Sequence, residues 1–232
     1  MKLRGILILS LALSLVLCAA SAFAGASDSN GFYFGVKGGY HWSDQSGGLS
    51  DSDANVNATN GSFKDDDGMT IGAAVGYDWS AYGLNLRSEL EYLYYEEVNY
   101  SAFNGTAANA AKMTADIDVQ TVMVNLYYDY DTGTAWTPYI GAGAGMAFVD
   151  TDVDYATNWA GAKDGSSMAT NFAWMATVGC AYEFNANWAL DLSARYSQFG
   201  DGDEIKTNGD TLKFRAKDLD AFDTLLGIRY TF

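Results

Sequence analysis

Eight stretches of the chain alternate apolar and polar residues with a period of two, the repeat of a strand with one greasy face and one small or polar face. The first runs from Phe32 to Trp42, with Phe32, Phe34, Val36, Tyr40 and Trp42 on one face and Tyr33, Gly35, Lys37, Gly39 and His41 on the other. The same reading predicts strands at Met69 to Trp79, Leu84 to Tyr95, Val119 to Tyr130, Trp136 to Phe148, Asn171 to Phe184, Trp188 to Phe199 and Phe222 to Phe232. The connections alternate as well. Short ones fall at Ser80 to Gly83, Asp131 to Ala135 and Asn185 to Asn187; long polar ones fall at Ser43 to Gly68, Glu96 to Asp118, Asp150 to Thr170 and Gly200 to Ala221.

An even strand number with long and short connections in strict alternation is the signature of a closed antiparallel barrel that crosses a membrane. Aromatic residues reinforce it. Trp79 with Tyr82, Tyr130 with Trp136, Phe184 with Trp188, and Tyr230 with Phe232 flank the short turns or the last strand, as rings do where hydrocarbon gives way to water. A soluble β-sandwich also alternates, but it gives no reason for aromatics to gather at the turns of one end. The fold expected is all-β: eight transmembrane strands with short periplasmic turns and long extracellular loops.

The first residues add a compartment. Lys2 and Arg4 precede an apolar run from Ile6 to Leu17, and Ala22 and Ala24 stand at the A-x-A spacing of a signal-peptide cleavage site. Residues 1–24 are therefore expected to be a signal peptide and residues 25–232 the barrel domain. The run is shorter than the ~20 residues a retained helical anchor needs, and Leu17 before Cys18 argues against a lipoprotein. Cys180 would then be the lone thiol, leaving no internal disulfide. With 29 acidic against 13 basic residues and a formal charge of −16, affinity for nucleic acid is disfavoured.

The stretch Thr137-Pro138-Tyr139-Ile140-Gly141-Ala142-Gly143-Ala144-Gly145, the segment Glu89-Leu90-Glu91-Tyr92 and the ending Gly227-Ile228-Arg229-Tyr230-Thr231-Phe232 resemble the OmpA-like outer membrane protein β-barrel family, which includes opacity-type surface antigens and small porin-family proteins. The resemblance implies a Gram-negative outer-membrane location among outer-membrane lipid and lipopolysaccharide, and insertion by the outer-membrane assembly machinery. It further implies that Leu226, Ile228, Tyr230 and Phe232 form the recognition signal for that insertion. Some members are adhesins or surface antigens, so a host or cell-surface ligand at the loops is an expected partner.

The chemistry available inside the barrel is charge. An eight-stranded barrel is just wide enough for side chains to fill, and Arg87, Glu89, Glu91, Glu183, Asp191, Arg195 and Arg229 bring both signs to the inward faces. They read as a salt-bridge network that plugs the lumen, with glycine-rich neighbouring strands making room for the long chains; the alternative is a narrow solute or ion pore. A catalytic reading, such as lipid A modification, rests on His41 near Ser43 and Asp44 alone, and a His beside an interfacial Trp42 reads instead as a rim residue. Asp51, Asp53, Asp65, Asp66 and Asp67, or Asp150, Asp152 and Asp154, could offer oxygens to Ca²⁺, yet the spacing is loose and solvated loops are the expectation. No metal, cofactor or catalytic site is assigned. The function expected is a structural or interaction role at the cell surface: adhesion, surface antigenicity or envelope integrity.

Overall fold

A computed structural model of the chain describes residues 31–51, 60–63, 67–104, 111–155, 165–202, 205–207 and 212–232. Eight long strands dominate them: β1 (Phe32–Asp51), β3 (Asp67–Asp78), β4 (Leu86–Asn104), β5 (Ala111–Asp129), β6 (Trp136–Tyr155), β7 (Gly165–Glu183), β8 (Trp188–Gly200) and β10 (Leu212–Thr231). Two short strands, β2 (Asn60–Phe63) and β9 (Ile205–Thr207), pair with β4 and β10. Each long strand pairs antiparallel with the next, and β10 returns to β1 from Tyr33↔Thr231 to Asp51↔Leu212. The sheet is a closed eight-stranded barrel, so no long strand is left as an edge.

Each tight turn is closed by an Asx side chain that accepts the backbone N–H two residues on, a device that pre-folds the reversal. Asp78 accepts from Ser80 (2.8 Å), Asp131 from Gly133 (2.8 Å) and Asn185 from Asn187 (2.9 Å). Trp79–Tyr82 form one 3-10 turn, ended by Gly83 at φ 75°. Close strand approach accounts for two further glycines: a Cβ on Gly72 would lie 2.1 Å from the Tyr92 carbonyl oxygen, and one on Gly145 2.0 Å from that of Val122.

The strands overrun the expected ones at the loop end. Residues 43–51, 96–104, 111–118, 150–155, 165–170 and 212–221, expected as loop, are strand. On β5 and β6 the polarity of the two faces inverts there, which is why alternation scored for a greasy outer face stops early on them. Along β5 the outward residues run Tyr128, Leu126, Val124, then Gln120, Asp118 and Asp116, while the inward ones run Asn125, Met123, Thr121, then Val119, Ile117 and Ala115. On β6 the outward Ile140, Ala142, Ala144 and Met146 give way to Asp150, Asp152 and Asp154, with Ala147, Val149 and Val153 buried inside. Thus Asp150, Asp152 and Asp154 lie on a paired strand; Asp53, Asp65 and Asp66 fall outside the described residues.

Candidate functional site: the lumen and the two boundaries of the belt

Around the barrel's middle the outward residues are apolar and exposed, among them Ile71, Val124, Ile140 and Val178, a surface too large and continuous to face water. Aromatic contacts bound it. At the turn end Trp79 packs edge-on against Tyr77 (4.8 Å) and Trp188 against Tyr230 (4.9 Å), while Trp136 lies tilted against Tyr182 (4.7 Å). At the loop end Trp42 approaches Phe222 (6.2 Å) and Trp174 approaches Tyr196 (5.7 Å). One motif recurs along this upper boundary: an outward Tyr donates to an acidic residue two positions above its cross-strand neighbour. Tyr40 bonds Asp67 in this way, Tyr94 bonds Asp118 (2.9 Å) and Tyr196 bonds Asp220 (2.7 Å).

Inside the belt the inward face is polar. Glu91, 1% exposed, receives Arg195 in a two-pronged pair, Nη1 to Oε1 at 2.6 Å and Nη2 to Oε2 at 2.9 Å. Lys37 bridges the same Glu91 (2.5 Å) and Glu89 (2.7 Å), and Glu89 also accepts from the hydroxyls of Tyr33 (3.1 Å) and Tyr127 (3.2 Å). Lower down, Arg87 grips Asp129 through Nε (2.5 Å) and Nη2 (3.0 Å), with its guanidinium over the rings of Tyr127 (4.8 Å) and Tyr139 (4.9 Å). Buried charge is tolerated here because Glu89 and Glu91 each take several donors and Arg87 holds Asp129 by two hydrogen bonds.

The remaining network candidates sit differently. Asp191 accepts from Tyr139 and Arg229 lies over Tyr33 (5.2 Å), and among the described residues neither is in an ion pair. Glu183 is exposed beside the last tight turn, outside the lumen cluster. Lys37 and Asp129, inward by the same alternation, join the charge set, and the tyrosines supply hydroxyls to it. The room made by glycine goes to these rings: a Cβ would lie 2.2 Å from the Tyr33 ring at Gly76, 2.4 Å from Tyr127 at Gly141 and 2.3 Å from Tyr139 at Gly179.

Toward the loop end the polar filling thins out. Tyr95 donates to Asp223 (3.2 Å), and His41 pairs through Nδ1 with the Thr70 hydroxyl (2.9 Å). His41 is 1% exposed and turned into the barrel with its ring against Tyr95 (5.4 Å). It is a buried interior residue, contrary to the rim placement expected from Trp42, because alternation turns the two neighbours to opposite faces. From Tyr95 toward the loop end, Ile117, Val119, Val149, Phe199 and Leu219 join it in one apolar core.

A closed barrel with a polar filling, an apolar belt and two aromatic boundaries is an outer-membrane architecture, and comparison with known proteins agrees. Residues 10–232 match the model of the outer membrane protein beta-barrel domain. The chain belongs to that family. This outer-membrane barrel is 32% identical over 171 residues to the outer membrane protein PagN of Salmonella typhimurium, covering 69% of this chain and 72% of that one. Its fold is similar to OprG from Pseudomonas aeruginosa (TM-score 0.58, 18% identity, covering 88% of this chain and 97% of that one). It is also similar to Neisserial surface protein A (TM-score 0.52, 20% identity, covering 87% and 97%).

At the end of the chain Leu226 and Ile228 face the belt, while Tyr230 packs on Trp188 and on Phe232 (5.3 Å). The last backbone groups are tied down: Thr231 donates to the Asn187 carbonyl (2.8 Å) and Phe232 to that of Phe32 (3.0 Å). Among the described residues no three His, Cys, Asp or Glu side chains gather as a metal would require.

Proposed function

We propose that this outer-membrane barrel is a surface-display protein that holds its long connections clear of the membrane for interaction with a host or cell-surface ligand. The observation that carries the reading is the wall beyond the upper aromatic boundary, paired between strands and filled with an apolar core. Such a wall is stiff, because its backbone is hydrogen-bonded and its interior packed. A stiff crown gives the connecting segments fixed spacing, which lowers the ordering cost of binding.

The small-solute pore is the less favoured alternative. It needs a continuous wet path, whereas the Glu91–Arg195 pair and the core around Ile117 and Phe199 fill successive levels of the lumen. A lipid A-modifying enzyme is opposed by His41, whose ring is turned inward and bonded to Thr70, away from lipid. Removal of residues 1–24 as a signal peptide, and recognition of Leu226, Ile228, Tyr230 and Phe232 by the assembly machinery, complete the proposal.

The test is adhesion of cells that display the protein with segments 52–59, 105–110, 156–164 and 208–211 shortened, compared with the full chain at equal outer-membrane levels. Loss of binding is expected when the segments are shortened. Undiminished binding would overturn the reading.

A further inference from the structure

Gly38 has no structural reason to be a glycine. The inward-facing Gly39 beside it would place a Cβ 1.9 Å from the Thr224 carbonyl oxygen, so close strand approach explains that residue. At Gly38 a Cβ would find its nearest atom, the Thr70 carbonyl oxygen, at 3.6 Å. The backbone there is paired on both sides, with Ile71 and Leu226, the register is unbroken, and φ is not in the left-handed region. Glycine inside a strand costs conformational entropy and side-chain packing; with no bulge or bend to account for it, it marks a place where something approaches the backbone closely.

Gly38 faces out of the barrel in the middle of the belt, and its missing side chain opens a groove of about 310 Å³. The walls are Val36, Ile71, Leu226 and Ile228, all hydrocarbon. We propose that this groove seats one acyl chain of a membrane phospholipid. It lies below the Trp42–Phe222 contact and above the Trp188–Tyr230 contact, hence at the depth of the lipid tails. Lys37 also borders it, but its ammonium is turned into the barrel and held there by Glu89 and Glu91, so the groove offers an occupant hydrocarbon and suits an apolar one. A second barrel would meet this convex wall along a line and rest on the raised Ile71 and Leu226. A narrow flexible chain can lie in this shallow depression and touch Gly38 as well as the flanking side chains, gaining dispersion contacts that the rest of the wall does not offer.

The experiment uses the full mature chain, methyl-labelled at Ile, Leu and Val, in nanodiscs of dimyristoyl phosphatidylcholine. Nuclear Overhauser cross-peaks from Ile71, Leu226 and Ile228 methyls to acyl methylenes are expected to be several-fold stronger than those from Ile140 and Val178 across the barrel. Gly38→Leu fills the groove and should bring them down to the Ile140 level with the unfolding midpoint unchanged. Cross-peaks of equal strength all round the native wall would overturn the proposal without recourse to the variant. So would protein-to-protein cross-peaks at these methyls in a mixed-label sample, which would assign the groove to a second copy.

Discussion

Arg195 and Glu91 clasp each other across the full width of the barrel: β8 and β4 stand four strands apart in the closed ring of eight, and the two side chains meet at 2.6 and 2.9 Å. A single pair thus braces opposite walls, and Lys37 anchors it to a third strand.

Replacement of interior arginines by alanine should therefore be graded. Arg195→Ala leaves Glu91 buried with Lys37 alone and is expected to cost about 3 kcal/mol. Arg87→Ala breaks the pair with the less buried Asp129 and should cost about 2 kcal/mol. Arg229→Ala loses its place over Tyr33, about 0.5–1 kcal/mol. Urea unfolding of the refolded barrel measures all three. Equal losses would refute the partner assignments.

Sealing of the lumen makes an electrical prediction. The purified barrel in a planar bilayer should give no steady conductance, since charged pairs and the apolar core occupy successive levels. A stable open channel in the unmodified protein would restore the pore reading.

The backbone approach at Gly145 predicts a sharp contrast between glycines. Gly145→Ala drives a Cβ toward a carbonyl 2.0 Å away and should destabilise the barrel by about 1–3 kcal/mol. Gly38→Ala, with 3.6 Å of clearance, should stay within about 0.5 kcal/mol of the parent. Comparison of unfolding midpoints at constant lipid decides it.

Deleting Phe232 together with Tyr230→Ser removes the Trp188 contact and the final backbone bond to Phe32. In hydrocarbon each unsatisfied backbone group costs several kcal/mol, so the outer-membrane fraction should fall sharply, while Thr231→Ser leaves it unchanged. Equal levels in fractionated cells would remove the special role of this ending.

Strand number, order and facing were legible in the chain because a period of two survives wherever one face meets lipid. The loop-end extensions were not, because Asp116, Asp118, Asp150 and Asp152 point outward there and read as loop when the outer face is assumed greasy. Lumen membership was legible for Arg195 and Glu91 from alternation alone. Their pairing was not, since strands on opposite sides of a barrel have no register in common. Tyr33, Tyr127 and Tyr139 were missed for a different reason: aromatic residues on an inward face carry no charge to draw attention, yet their hydroxyls are what the carboxylates of Glu89 and Asp191 need.

The inversion of polarity along β5 and β6 divides tolerance to change as well as environment. An outward Lys at Val124 or Ile140 meets lipid and costs about 2–4 kcal/mol near the midplane, whereas at Asp116 or Asp152 it meets water. Inward, the currency reverses, and a polar substitution at Ile117 or Val149 intrudes on a dry core. β5 and β6 are each in effect a splice between a membrane sequence and a soluble one, joined near Gln120 and Phe148. A lineage or an engineer could exchange the whole crown for another antiparallel one at that joint, and the part that inserts would not have to be reinvented.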